Sequence, residues 1–292
     1  MMTRPTYAYL GPKGTYSHEA ALIVSGEAGG SSGAELVECA SISEVFGLVE
    51  RGRADFGVVP IENSLEGSVN ETLDAFVFNS AALIVRELVL DVHHHLIAAP
   101  GVTLKDVGEV ASHPQALAQC RRWLDRYMPN AATTATTSTA QAVKKVVEQG
   151  SGAAIGAQLA AQVFSGVVLE EQIEDHFGNQ TRFVVLGNAL MPRTGSDKTS
   201  LALFMRQDRP GTLLMILAEL SYAGLNLTKI QSRPTKRALG DYMFWIDVDG
   251  HVDDLDVKTA LDSLRLKLRE VKVLGSYPAA AGSFGADDGL GR

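Results

Sequence analysis

The stretch DHFGNQTRFVVLG, residues 175–187, sets Asn179, Gln180, Thr181 and Arg182 directly against the apolar run Phe183, Val184, Val185 and Leu186. Amide, hydroxyl and guanidinium groups at the lip of a buried strand serve either a hydrogen-bonded loop or the wall of a binding cleft. Three other stretches carry similar groups. VVPIENSLEGSV leaves a strand through Pro60 and presents Glu62, Asn63 and Ser64 at its C-terminal end, the crevice position for ligands in open α/β sheets. LGPKGTYSHEAA puts Gly11 and Gly14 in a strand-to-helix turn, where backbone N–H groups and the hydroxyls of Thr15 and Ser17 could hold an anion. It matches neither GxGxxG nor GxxxxGK followed by Ser or Thr, so no nucleotide is implied. SHPQALAQC sets Ser112 and His113 before a helix, with Gln115 and Gln119 one turn apart on one face. Gln119 sits among Ala116, Ala118 and Cys120, which suits an inward-facing amide.

Other residues offer less. DVHHHLIA would set His93 and His95 on one strand face, yet no third metal ligand accompanies them. They read as structural or cleft-lining histidines, and no metal is expected. No GxSxG nucleophile elbow stands between a predicted strand and a following helix, and no paired-carboxylate spacing stands out.

The elements that must position these residues alternate between short apolar runs and helical patterns, which predicts an α/β sheet with parallel strands. YAYLG, AELVECA and ADFGVVP read as strands, with helices at residues 16–24 and in SISEVFGLVERG. In the latter, Ser41 is the N-cap, Glu44 closes a capping box and Gly52 stops the helix. The pattern repeats with GEVASH, a helix PQALAQCRRWLDRYM opened by Pro114, a helix over 138–150 and a strand GAAIGA. Two similar lobes follow, with AAPGVTLKDV as one crossover and LEEQIEDHFGNQ as the return. The residues by themselves thus describe a two-lobed cleft lined by hydroxyls, amides and an arginine. MPRTGSDKT then reads as a linker, and a βαββαβ order of ferredoxin-like type begins at about Lys198.

Composition narrows the function. The 292 residues are 46% hydrophobic and 21% charged, enough for two or more domains with sizeable cores. A net charge of -8, with no long basic run, argues against nucleic acid and anionic membranes as partners and for small molecules. Cys39 and Cys120 lie in no ligand pattern and are expected as free, buried thiols. The start lacks an apolar signal core, and no stretch approaches the roughly 18 apolar residues of a membrane span, which predicts a cytoplasmic protein.

GPKGTYSHEAA, VVPIENSLEGSV, SHPQALAQC, STAQAV and GNQTRFVVLG, in this order over residues 7–187, resemble the motifs of the prephenate dehydratases. RPGTLLMIL with NLTKIQSRPT resembles the phenylalanine-binding ACT domain that follows the catalytic part in that family. No chorismate mutase helices precede Tyr7, so the resemblance is to the monofunctional form. It implies a two-lobed α/β catalytic domain similar to type II periplasmic binding proteins over residues 5–190, with lobe 1 at about 5–99 and 171–190 and lobe 2 at about 100–170. A ferredoxin-like ACT domain would follow at 198–278, then a disordered tail at 279–292.

The implied reaction removes carbon dioxide and water from prephenate to give phenylpyruvate, with no metal or organic cofactor. By this resemblance Thr181 donates to the leaving hydroxyl, Arg182 is a candidate anchor for a substrate carboxylate and Phe183 packs the site. Glu62, Asn63, Ser64, Ser112 and Gln119 orient substrate and hold Thr181. Phenylalanine would bind between Gly211, Thr212, Leu213 and Leu214 of one copy and Asn226, Leu227, Gln231 and Ser232 of another, in a homodimer or homotetramer. Gln231 departs from the family's Glu-Ser-Arg-Pro and loses a charge that could pair with the effector ammonium. Arogenate, which carries an amino group where prephenate has a keto group, fits the same motifs. A non-enzymatic small-anion-binding protein fits the cleft alone.

Overall fold

The computed structural model describes residues 4–26, 33–207, 209–237 and 241–280. In chain order the elements begin β1 (Thr6–Leu10), α1 (Tyr16–Val24), β2 (Glu35–Cys39), α2 (Ile42–Glu50), β3 (Phe56–Asn63), β4 (Gly67–Ser68) and α3 (Asn70–Asp74). A π-helical turn, Ala75–Asn79, leads to β5 (Leu83–Asp91), β6 (His95–Ala98), β7 (Glu109–Ser112), α4 (Pro114–Gln119), α5 (Arg121–Tyr127), β8 (Ala132–Ala135) and α6 (Thr139–Gln149). Then come β9 (Ala153–Gly156), α7 (Gln158–Phe164), β10 (Val167–Glu170) and β11 (Gln180–Gly187). The rest is β12 (Asp197–Phe204), α8 (Thr212–Tyr222), β13 (Leu227–Pro234), β14 (Tyr242–Asp249), α9 (Leu255–Lys267) and β15 (Glu270–Pro278). These form two compact units, Met1–Asn70 with Val89–Phe183, and Glu71–Leu88 with Val184–Arg292.

The first unit holds two sheets. One runs in the order β11, β3, β1, β2, with β1 parallel to both neighbours and β4 antiparallel on β3. The other runs β10, β6, β9, β7, β8 and is mixed, which corrects the expectation of parallel strands. Its pairs β10/β6 and β6/β9 are antiparallel, while β7 is parallel to β8 and β9. Strand alternation explains how this sheet is covered on both faces. Leu96, Ala98, Val110 and Ile155 pack with Cys120 and Leu124 of the α4–α5 side, whereas Ile97, Ala111 and Ala154 pack with Val143 and Ala160 of α6 and α7.

Local signals set most helix ends. Ser41 Oγ accepts from Glu44 N–H, and the Glu44 carboxylate accepts from Ala40 N–H at 2.7 Å, one residue before the N-cap. Ser138 Oγ accepts from Gln141 N–H, and Gly150, at φ 67°, ends α6 in the left-handed region that glycine occupies without strain. The helix expected from Pro114 through Met128 is instead broken at Cys120. Asp175, distant in sequence, caps the second piece by accepting from Arg122 and Trp123 N–H at 2.9 and 3.2 Å. The histidine run is also corrected: β5 ends at Asp91 and β6 begins at His95, so His93 lies in no strand and shares no strand face with His95. The passage between the two sheets is therefore at residues 92–94, before the AAPGVTLKDV stretch.

The second unit has a sheet in the order β13, β14, β12, β15, β5, with α8 and α9 on one face. Leu201, Leu203, Ile246 and Val248 meet Ile216, Leu220, Val257 and Leu261 there. Elements β12 to β15 with α8 and α9 follow the expected βαββαβ order. Asp197 orders the turn before β12 by accepting from Thr194 and Gly195 N–H and from the Thr194 hydroxyl. Of the expected tail, Ala279 and Ala280 donate backbone hydrogen bonds to Ser196 O and Glu87 Oε1. Residues 281–292 lie outside the described residues. Among the described residues no helix is long and apolar enough to cross a membrane.

Candidate active site

Asn63 ends β3, and its Oδ1 accepts the backbone N–H groups of Leu65 and Glu66, both at 3.0 Å. Two backbone donors fix which end of the amide is oxygen. The Nδ2 end is then the donor, and it reaches Thr181 Oγ1 at 2.9 Å, Asn179 Oδ1 at 2.7 Å and the Gln180 carbonyl at 3.1 Å. Asn179 Nδ2 donates to Gln119 Oε1 at 3.3 Å, and Gln119 Nε2 donates to Glu66 Oε1 at 3.3 Å. His94 Nε2 lies 2.8 Å from the same Gln119 Oε1. The two sheets of this unit thus meet in one chain of amides that ends on a threonine hydroxyl.

These groups line a cavity of about 400 Å³ together with Tyr16, His113, Gln115 and the Thr137, Ser138 and Thr139 start of α6. Among the described residues no lysine or arginine lines it, and Glu66 is its one carboxylate. Thr181 is 9% exposed, and no described residue accepts its hydroxyl proton. Burial, then the charge of Glu19, pushes the Tyr16 phenol well above the ordinary tyrosine range, so it stays a neutral donor, directed at the His93 carbonyl. Glu174 accepts from His94 N–H at 2.9 Å and pairs with His93 Nδ1 at 2.8 Å. Burial pushes the Glu174 carboxyl up, but these hydrogen bonds outweigh it and hold it below the usual range. Both cysteines are free and buried; burial raises Cys39 to about 11 and Cys120 further, so neither is a thiolate nucleophile. Among the described residues no three His, Cys, Asp or Glu side chains gather as a metal site.

Of the residues given site roles from the sequence, Asn63, Gln119 and Thr181 line this cavity, as do Asn179, His113 and Gln115 of the same motifs. Ser64 does not, but braces it: its Oγ accepts from Gln180 N–H at 2.9 Å, and its N–H donates to the Gln180 carbonyl. Phe183, two residues on and therefore on the strand face of Thr181, is 2% exposed. Arg182, expected as a carboxylate anchor, points to the opposite strand face and does not line the cavity. Ser112 is fully buried and donates to the Ile155 carbonyl at 2.7 Å. Thr15 is spent as the N-cap of α1 and donates to the Pro12 carbonyl; Ser17 is buried, and Glu62 is paired in register with Ser68. None of these four lines the cavity. The sequence pattern gives no site role to Glu66, His94, Tyr16 or the α6 start, and Asn179 is named in the opening motif without one. Asn179 adjoins Gln180 in the opening motif, and Ser138 and Thr139 open the STAQAV motif, so both signals were present.

The second unit has an apolar pocket of about 600 Å³ between β13 and the start of α8, lined by Gly211, Thr212, Leu213, Leu214, Ser232 and Phe244 among others. Gly211 caps α8 at φ 86°, a conformation that frees the first helical N–H groups and disfavours a side chain. Leu214 is 70% exposed. Asn226 donates to Asp249 Oδ2 at 2.7 Å, and Leu227 and Gln231 are strand residues; none of the three lines this pocket. Gln231 pairs in register with Trp245 and faces the other side of β13 from Ser232.

The profile of the prephenate dehydratase family matches residues 7–190, and that of the ACT domain matches residues 199–266. The bifunctional chorismate mutase/prephenate dehydratase of Aquifex aeolicus is 42% identical over 94% of this chain and 73% of its own length. The prephenate dehydratase of Mycolicibacterium vanbaalenii is 38% identical over 94% of this chain and 91% of its own. Among solved structures, prephenate dehydratase from Arthrobacter aurescens in complex with L-Phe superposes with a TM-score of 0.85, at 39% identity, over 94% of this chain and 90% of that one. GqqA, described as a novel type of quorum quenching acylase, superposes with a TM-score of 0.83 at 28% identity, over 94% of this chain and 98% of that one. With residues 7–190 matched by one family profile, and two relatives sharing about two residues in five over 94% of its length, the chain belongs to the prephenate dehydratase family.

Proposed function

We propose that this cavity converts prephenate to phenylpyruvate and that the second unit binds phenylalanine as the effector. The bond from the ring to its carboxylate breaks, its electron pair moves through the ring diene, and the C4 hydroxyl leaves as water once a proton reaches it. Carbon dioxide departs and the ring becomes aromatic. Two things are asked of the protein: a donor at the leaving oxygen and a ring carboxylate that is not stabilised as an anion.

Thr181 meets the first demand. Its oxygen accepts from Asn63, so its own proton is left to point at the substrate. A threonine hydroxyl is a weak acid, so its proton is replaced from solvent as it is given up. The second demand is met by a wall without lysine or arginine, where a carboxylate about to leave as carbon dioxide gains no ion pair to lose. The side-chain carboxylate fits the start of α6, whose first N–H groups lack intrahelical partners and whose Ser138 and Thr139 line the cavity. Asn63, Asn179 and Gln119 hold Thr181, Ser64 braces β11, and Phe183 packs behind it.

The observation that carries this reading is the Thr181 hydroxyl held from one side by Asn63 in a cationless cavity. In the second unit, the pocket at Gly211 and Ser232 takes the phenylalanine side chain beside the N–H groups of the α8 start. A second copy paired through the edge strand β13 completes it, giving two equivalent sites per dimer. The test is to offer the purified protein prephenate and arogenate separately and to identify the aromatic product. Phenylpyruvate from prephenate, with turnover suppressed by phenylalanine, is expected. Turnover of arogenate in preference changes the substrate, and turnover of neither overturns the reading.

A further inference from the structure

The orientation of the amide chain can be followed outward from its least ambiguous point. Asn63 Oδ1 holds two backbone N–H groups, so Asn63 Nδ2 donates and Asn179 Oδ1 must accept. Asn179 Nδ2 is therefore a donor, and Gln119 Oε1 accepts it, with Gln119 Nε2 turned to the Glu66 carboxylate. Gln119 Oε1 also faces His94 Nε2, so that nitrogen must carry the proton. The ring is the Nε2–H tautomer. Its other nitrogen, Nδ1, is buried and has no hydrogen-bond partner among the described residues.

His94 belongs to neither sheet; it lies in the short passage between them. Its backbone is fixed on both sides, since its N–H donates to Glu174 and its carbonyl accepts from Ile173 N–H at 2.8 Å. The side chain, 95% buried with a total exposure of 5%, is thus a fixed donor aimed at Gln119. A buried imidazole with one nitrogen unsatisfied costs stability, so the Nε2–H bond to Gln119 is held against that cost. Such a group is retained where its orientation matters elsewhere.

We propose that His94 is a positioning residue for the dehydration: it fixes the Gln119 amide, and through Asn179 and Asn63 it fixes the direction in which the Thr181 proton points. This rests on the assignment of Thr181 as donor to the leaving hydroxyl. The logic is steric and directional. Were Gln119 to flip, its NH₂ would face the N–H of His94 and the NH₂ of Asn179, donor against donor. With His94 in place the flip is blocked. Without it, Asn179 can lose its acceptor and shift, and the Asn63 Nδ2 group, which serves Asn179 and Thr181 together, loses the partner that fixes how its two protons are shared. His94 touches neither the leaving oxygen nor the ring in this scheme.

The test is a set of four variants assayed with prephenate: His94→Leu, His94→Gln, Gln119→Leu and the double His94→Leu/Gln119→Leu. His94→Leu is expected to lower kcat by up to about 100-fold with KM little changed, the cost of a misplaced catalytic group. His94→Gln, which restores an N–H near the Nε2 position, recovers most of that loss. The double variant is no slower than the worse single, because both changes break one chain. Equal losses in His94→Leu and His94→Gln, or losses that multiply in the double variant, overturn the proposal. Nitrogen NMR of the ring, assigned by comparison with His94→Gln, decides independently of turnover. A neutral Nε2–H ring near neutral pH whose signals move in Gln119→Leu is expected. An Nδ1–H ring, or signals indifferent to Gln119, contradicts the chain itself. If the wild-type protein leaves prephenate untouched, the reaction assignment fails, while the ring spectra still decide whether His94 holds Gln119.

Discussion

Around the cavity of the first unit the polar side chains that touch one another are mostly neutral: Asn63, Asn179, Gln119, His94 and Thr181 form one hydrogen-bonded chain. In the second unit, the segment Glu71–Leu88 is held to the sheet by charges. Lys198 Nζ meets Glu87 Oε1 at 2.7 Å with side chains 6% and 0% exposed, and Asp74 is paired with both Arg233 and Lys236. Lys272 Nζ donates to the Phe76 and Ser80 carbonyls at 2.7 and 2.8 Å, and the Phe76 ring packs edge-on against Trp245. The difference follows from what each arrangement has to do. Amides and hydroxyls can aim a single proton without adding a field that would hold a departing carboxylate in place. Buried charges persist only while paired, so they fix a segment strongly and tolerate little change.

The largest effect should come from breaking the charged arrangement. Lys198→Met leaves Glu87 buried without its cation and is expected to destabilise the second unit by about 3–5 kcal/mol. Denaturant titration measures this, and at temperatures where the variant is folded its kcat on prephenate should match the wild type. A neutral result for stability would mean that this pair is no more than an accessory to the apolar packing.

A smaller effect is expected at the effector pocket. Gly211→Ala forces a side chain into the left-handed region at φ 86°, although a Cβ there would meet nothing within 4 Å. The cost of about 1–2 kcal/mol is conformational, and it should raise the phenylalanine concentration for half-inhibition by about tenfold while leaving uninhibited turnover unchanged. Unaltered sensitivity would remove the α8 start from the effector site.

Acid should separate the two units by a still smaller margin. Burial holds His18, His94 and His95 below the ordinary histidine range; Lys13 adds to this for His18, while Gln119 and Glu174 oppose it for His94. Below about pH 6.5 the unfolded chain takes up protons that these folded sites refuse, so the stability of the first unit should fall as pH drops through that range. In the second unit, burial raises Asp74 and Asp197, but their hydrogen bonds outweigh it and leave both carboxyls lowered. Their contribution is present above about pH 4 and is lost only as pH falls through the lower folded values. Hydrogen-exchange protection against pH should therefore decline first in the first unit. A simultaneous decline below the carboxylate range would break the contrast.

Much of this was legible in the sequence where the cause is local. Ser41 and Ser138 cap their helices, Gly150 ends one, and the βαββαβ order appears with its elements in place. The free, buried state of Cys39 and Cys120 was legible too. What escaped depends on partners far along the chain. The break at Cys120 needs Asp175 as a cap, and nothing between Pro114 and Met128 announces it. The histidine run looked like strand because its apolar flanks do, while Glu174 and Gln119 take His93 and His94 out of any ladder. Arg182 drew attention by its charge, yet the two-residue period of β11 gives the cavity to Thr181 instead. Asn179 lies one residue outside the strand it serves, and its polar type is legible there but not its partners Asn63 and Gln119, which are distant in sequence.

The central claim is that the Thr181 proton, aimed by neutral amides, assists the departing hydroxyl. Single-turnover rates on prephenate for wild type, Thr181→Ala and Thr181→Ser test it most directly. Removing one preorganised donor is expected to slow Thr181→Ala by about 100- to 1,000-fold, roughly 2.7 to 4 kcal/mol, with substrate binding largely kept, while Thr181→Ser retains much more of the rate. A Thr181→Ala enzyme that forms phenylpyruvate as fast as the wild type would contradict the account.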